Sequence, residues 1–205
     1  RFETKAFFGA QQIRARDLLL RTPQTNIQLD YTADYADFSA WAQNLAEGIR
    51  MQFTMDNSSI AFQDLNYFAP AINEIKQINT GLTRTILAKA TASGTLADLN
   101  NIDLNLSVAN DLKLRVRGQA QHLTDPERLQ YQLNLSDLST SYEQLKNLTR
   151  GVNIPNGLDR LGKIRLLGRF RGGLDSLRGN NIELRTSSTT YFAGDLSARH
   201  LPSNT

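Results

Sequence analysis

The segment from Ile86 to Leu123, ILAKATASGTLADLNNIDLNLSVANDLKLRVRGQAQHL, alternates apolar and polar residues and then comes round again. Ile86 returns as Ile164, Gly94 as Gly172, Leu96 as Leu174, Leu99 as Leu177, His122 as His200 and Leu123 as Leu201, each 78 positions later. A fixed period of that length marks repeated supersecondary units that bury their apolar faces by stacking, so the chain folds as an array. The echo reaches upstream: Arg50-Met51-Gln52-Phe53 matches Arg128-Leu129-Gln130-Tyr131 at the same offset, and Asp64-Leu65 matches Gln144-Leu145 at a spacing of 80. Slips of this size mark loops that accept insertion between strands of fixed pairing. A weaker third copy lies near the start, where Leu20-Arg21-Thr22-Pro23-Gln24-Thr25 resembles Leu184-Arg185-Thr186-Ser187-Ser188-Thr189. The chain divides into a partial N-terminal repeat over residues 1–48, repeat one over 49–127 and repeat two over 128–205, all one continuous β array.

Within each copy the apolar period is two, the period of a half-buried strand. Strands are predicted over Phe2 to Phe8, Ile13 to Leu20 and Thr25 to Tyr31, with Thr22-Pro23-Gln24 as the turn between the last two. Phe38, Trp41, Ala42 and Leu45 fit a helical turn as well as a loop and strand. Ile49, Met51, Phe53 and Met55 point inward along the next strand, a short helix follows from Gln63 to Ala69 before Pro70, and Asn73 to Thr80 is a polar connector. Ile86, Ala88, Ala90 and Ala92 share a face; Ile102 to Val108 and Leu112 to Val116 form a hairpin across Asn110-Asp111. After Asp125-Pro126, Leu129, Tyr131, Leu133 and Leu135 repeat the alternation. Ser141-Tyr142-Glu143-Gln144 has capping-box spacing and opens a second short helix through Leu148. Each copy thus holds about four strands and one short helix, and advances the sheet by roughly 19 Å. The predicted fold is all-β: a repetitive antiparallel sheet, open, bent and apolar along one face.

Hydrophobic content of 40% with 21% charged residues argues against wholesale disorder. A net charge of +3 is too mild to indicate nucleic acid, and no Lys/Arg cluster is interleaved with aromatics, so no nucleic-acid partner is expected. Without cysteine there is no disulfide, thiolate metal site or cysteine nucleophile. No apolar run reaches the roughly 20 residues of a membrane-spanning helix, and Arg1 opens in mid-pattern, which points to a fragment of a longer chain.

Candidate chemistry is sparse. His122 and His200 occupy equivalent places one repeat apart and do not converge, and Asp64, Asp98, Asp103 and Glu143 occur singly, so neither a metal site nor a catalytic site is expected. No GxSxG, HExxH, P-loop or GxGxxG pattern is present. Lys113, Arg115 and Arg117, like Arg165, Arg169 and Arg171, fall at outward positions and read as a solvated face or as a contact for acidic headgroups or an acidic partner. The two short helices cannot cover a whole sheet, so apolar surface is expected to be left facing a groove.

The run Ser59-Ile60-Ala61-Phe62-Gln63-Asp64-Leu65-Asn66-Tyr67-Phe68-Ala69-Pro70, followed by Ala92-Ser93-Gly94-Thr95-Leu96, resembles the TamB family of AsmA-like proteins. Repeat two adds Ile154-Pro155, Gly157-Leu158, Leu161-Gly162 and Leu167-Gly168-Arg169-Phe170-Arg171-Gly172, similar to that family's short helix, proline-bearing connector and strand with spaced glycines. The resemblance covers most of the chain from Ile49. It implies an internal repeat fragment of a long periplasmic protein anchored in the inner membrane, whose sheet forms a U-shaped groove, the β-taco. It further implies a role in moving phospholipid between inner and outer membranes, and in outer-membrane protein assembly with a TamA-like partner.

On this reading the chain is not an enzyme, needs no cofactor and binds no metal. Phospholipid acyl chains lie along Ile86, Leu104, Leu106, Leu114, Val116, Leu133, Ile164, Leu166, Ile182 and Leu184. The rivals are a chaperone-like surface that pairs with unfolded outer-membrane strands and a closed structural β-sandwich.

Overall fold

The computed structural model describes residues 1–36, 47–64, 84–109, 112–148, 158–187 and 190–199. Eleven strands lie in one sheet in chain order: β1 Phe2–Phe8, β2 Gln12–Arg21, β3 Asn26–Tyr35, β4 Ile49–Ala61, β5 Thr85–Gly94, β6 Leu99–Val108, β7 Leu112–Gln121, β8 Gln130–Ser141, β9 Lys163–Gly172, β10 Ser176–Thr186 and β11 Tyr191–Arg199. Every neighbouring pair is antiparallel, a meander in which strands consecutive in sequence lie side by side. β1 and β11 do not pair with each other, so the sheet is an open, curled groove and not a barrel. Among the described residues there is no second sheet, so no closed β-sandwich forms.

The turns explain the regularity. The backbone N–H groups of Gly9, Thr22, Thr95 and Gly173 donate to the carbonyls of Gln12, Thr25, Asp98 and Ser176 at 2.8, 2.9, 2.8 and 3.0 Å. One four-residue closure thus serves the β1–β2, β2–β3, β5–β6 and β9–β10 connections. After β8, Ser141 caps helix α1, Tyr142–Leu148, its Oγ accepting the Gln144 N–H at 3.3 Å as the capping spacing predicts. The corresponding segment after β4 turns helical at Phe62-Gln63-Asp64. The remainder of the expected Gln63 to Ala69 helix lies outside the described residues, as do Phe38, Trp41, Ala42 and Leu45, the Asn110-Asp111 turn, the Asn73 to Thr80 connector and His200.

Five β-bulges follow a rule that the alternation alone did not reveal. Each even-numbered strand carries one extra residue against both neighbours: near Asp17 in β2, Asn57 in β4, Asn100 in β6, Ser136 in β8 and Asn181 in β10. The odd-numbered strands carry none. Asp17, Asn57 and Asn181 hold φ of 50°, 46° and 51°, a left-handed conformation that Asp and Asn tolerate better than other side chains with a Cβ. A bulge bends its strand and increases the local twist, so alternate bulged strands distribute curvature across the whole sheet. They also lengthen the strands: β4 runs on past Met55 to Ala61 because Asn57 absorbs the phase change.

The surface area measures how far this is from a globule. A folded chain of 22.9 kDa is expected to expose about 9,600 Å². This chain exposes 13470 Å². Among the described residues no side chain larger than that of Ser58 is fully buried. The buried apolar residues are largely alanines, such as Ala88, Ala90 and Ala92, together with a small cluster of Ala33, Tyr35 and Ile49 flanked by Ile13, Tyr31 and Met51.

Candidate functional site

Cross-strand register assigns the faces without ambiguity, because directly opposed residues project to the same side. Leu104 stands between Ala90 and Val116, and Leu106 between Ala88 and Leu114. Leu114 continues to Leu138, Val116 to Leu135, and Leu133 joins Gly118 to Phe170. Leu166 links Leu138 to Leu184, Ile164 links Thr140 to Thr186, Ile182 meets Gly194, and Ile86 pairs with Ile60 and Val108. All ten groove residues expected from the sequence therefore lie on one face. The same face extends into strands outside that list: Met55 opposes Leu29 and Ala90, Phe53 opposes Tyr31 and Ala92, and Ile13 opposes Phe8 and Ala33. The signal for these residues was the same alternation, already visible in Ile27, Leu29 and Tyr31 and in Met51, Phe53 and Met55.

The apolar face runs unbroken from β1 to β11, about 48 Å at one strand spacing per step. Nine of the ten expected residues are half-buried and only Ile182, 3% exposed, is buried. Neighbouring side chains thus shelter the face but no second layer of the described residues covers it. The opposite face is wetter: Leu87, which points there from between Ile86 and Ala88, is 55% exposed. Tyr31 and Tyr131 lie on the apolar face, and burial raises both phenol pKa values above the ordinary range.

The polar face is tied by ion pairs between strands. Lys89 Nζ meets Asp56 at 2.6 Å, Arg117 Nε meets Asp103 at 2.8 Å and Arg165 Nε meets Asp137 at 3.0 Å. The Asp56 carboxylate raises the Lys89 pKa by hydrogen bond and charge. Two carboxylates also latch bulges: Asp30 Oδ1 accepts the Asp17 N–H and Asp195 Oδ1 accepts the Asn181 N–H, each at 2.8 Å. The Asn181 amide, with help from the Asn180 side chain, holds the Asp195 carboxyl below its usual range.

One rim carries the helical connections. There Thr22 Oγ1 donates to Asp64 Oδ2 at 2.6 Å, and Arg84 Nη1 donates to Gln144 Oε1 at 2.5 Å. Asp64 and Gln144 are the residues matched at a spacing of 80, so equivalent positions bind the helical segment of each copy to a preceding element. His122 sits at the other rim, its backbone N–H donating to Asp98 Oδ1 at 2.9 Å. Among the described residues, no three His, Cys, Asp or Glu side chains are grouped as metal ligands would be.

Comparison with protein-family models, with curated proteins and with solved structures finds no match.

Proposed function

We propose that the chain is a segment of a periplasm-spanning conduit in which phospholipid acyl chains lie on the apolar face of the curled sheet, without any covalent step. The observation that carries this reading is the apolar face that continues across all eleven strands with no second layer of the described residues over it. An acyl chain of sixteen carbons loses about 13 kcal/mol on entering water, at roughly 0.8 kcal/mol per CH₂. A carrier must therefore keep the chain covered along the whole route while water wets the headgroup. A sheet with one apolar and one charged face meets both requirements, and the number of repeats sets its reach. On the resemblance to the TamB family, the parent protein is anchored in the inner membrane and works with a TamA-like outer-membrane protein.

Lipid co-purification tests the reading. The 205-residue chain is extracted with organic solvent and analysed by mass spectrometry, alongside Leu106→Asp and Leu114→Asp. Phospholipid in stoichiometric amount, lost in either variant while the circular dichroism of a β-sheet is retained, is the expected result. A folded, lipid-free wild type refutes the conduit. It would turn attention to the open edges, where β1 exposes Phe2 and Phe8 and β11 exposes Tyr191 and Phe192, as places for an unfolded outer-membrane strand to pair.

A further inference from the structure

Two arginine pairs oppose each other between β9 and β10, and they are treated differently. Arg165 stands opposite Arg185, and each has its own acid: Asp137 at 3.0 Å and Glu183 at 3.0 Å. Arg171 stands opposite Arg178, and neither guanidinium has a carboxylate or hydrogen-bond partner among the described residues. Like charges directly across a strand pair repel. The row they occupy continues through Gln132 and Gln119 on one side and Ser197 on the other, so five adjacent strands present Gln, Gln, Arg, Arg and Ser with no carboxylate among them.

The same two arginines line a cleft of about 780 Å³ at the rim away from α1, which Arg128 and Arg199 also line. Neither of these has an ion-pair partner among the described residues. Glu127 and Asp175 line the cleft too, and among the described residues neither pairs with one of these arginines, leaving four arginines against two carboxylates.

We propose that this cleft, centred on Arg171 and Arg178, binds a phosphoryl group. A guanidinium offers a planar fork of donors, and one carboxylate fills one fork. A tetrahedral phosphoryl group has enough oxygens to engage two adjacent forks at once, and the Gln132 amide supplies a neutral donor beside them. The phosphoryl group can come from a lipid headgroup or from a soluble phosphorylated molecule. Arg171 and Arg178 project to the polar face, while Tyr131 and Leu177 bring the edge of the apolar face to the same rim cleft; the phosphoryl site does not require lipid on the apolar face.

The probe is inorganic phosphate titrated into the whole chain by calorimetry, with vesicle flotation in parallel, using phosphatidylcholine alone and phosphatidylcholine with phosphatidylglycerol. The double variant Arg171→Gln/Arg178→Gln is compared with Lys113→Gln/Arg115→Gln, which removes equal charge from the same face. Phosphate affinity is expected to fall at least tenfold in the first and less than twofold in the second, with Arg171→Lys/Arg178→Lys between them. Flotation on the phosphatidylglycerol vesicles that the Arg171/Arg178 variant loses assigns the group to a lipid headgroup; phosphate binding without flotation assigns it to a soluble ligand. No phosphate binding by the wild type, or equal weakening by both Gln variants, overturns the proposal. In low salt without phosphate the Arg171/Arg178 variant should unfold at the wild-type temperature or above it. A clear drop would show that the arginines are structural and would also overturn it.

Discussion

Thr25 holds the β2–β3 turn to the end of β4 through a single buried oxygen. The residue is 2% exposed, and its Oγ1 accepts the backbone N–H of Ala61, itself 5% exposed, at 3.0 Å. Its hydroxyl also assists Thr22 in holding the Asp64 carboxyl below its ordinary pKa. Thr25→Val keeps the branched shape and removes the acceptor, leaving the Ala61 N–H buried and unsatisfied, at a cost of about 1–3 kcal/mol. For a chain of this size each kcal/mol moves the thermal midpoint by roughly 2–4 °C, so the expected drop is about 2–12 °C. Thr25→Ser keeps the acceptor and deletes one methyl group, worth about 0.8 kcal/mol. Thermal unfolding of the three proteins, with hydrogen exchange at the Ala61 amide, separates the two effects: Val should speed that exchange and Ser should not. If Val proves milder than Ser, or Ala61 stays protected in the Val variant, the hydrogen bond does not hold the rim and the reasoning fails.

Gly118→Ala would place its Cβ against the backbone carbonyl of Gln132, which can move only if β7 and β8 separate, whereas Gly194→Ala meets the ring of Phe192, 3.2 Å away on the edge strand. Urea unfolding should show a loss of about 1–3 kcal/mol for the first and a change within about 0.5 kcal/mol for the second; equal effects would mean that the two strands are less closely opposed. The depressed pKa of Asp195 predicts a stability term present above the ordinary carboxylate range and lost as pH falls through the folded value. Asp195→Asn should therefore flatten the acid side of the midpoint-against-pH curve, and an unchanged curve would show that the β10 bulge does not use the charge.

Strand identity was legible because it rests on local alternation. The ten expected residues from Ile86 to Leu184 fall on one face because a period of two fixes the face wherever no bulge intervenes. The capping box at Ser141 was legible for the same reason, being local. Residues 49–127 hold β4 to β7 and residues 128–205 hold β8 to β11, four strands in each span, and the match of Leu20 to Leu184 joins the ends of β2 and β10, eight strands apart. What stayed hidden depends on partners distant in sequence. Nothing around Arg171 announces that Arg178 lies opposite it, or that Arg165 has Asp137 within reach while Arg171 has no acid. The open, bent sheet was expected from the two helices too short to cover it and from the family resemblance, not from alternation, since a sandwich strand and a groove strand carry the same pattern.

The bulges connect the two levels. Along β8, strict alternation after Leu135 would carry the apolar face to Asp137, yet the face continues at Leu138, because the extra residue at Ser136 shifts the phase by one. In β4 the same shift carries the face from Met55 to Ser58, and in β2 from Ala15 to Leu18. Each bulge therefore preserves the apolar face on both sides of a bend that the sheet must make to become a groove. With one bulge in every second strand, a four-strand copy contributes two bends. Curvature then accumulates with the number of copies while the apolar side chains remain in register. Asp17, Asn57, Asn181 and their counterparts mark where the sheet bends, and the leucines and isoleucines between them make up its apolar face. The two properties can vary separately, so that a further copy can extend the apolar face without changing how sharply the sheet bends.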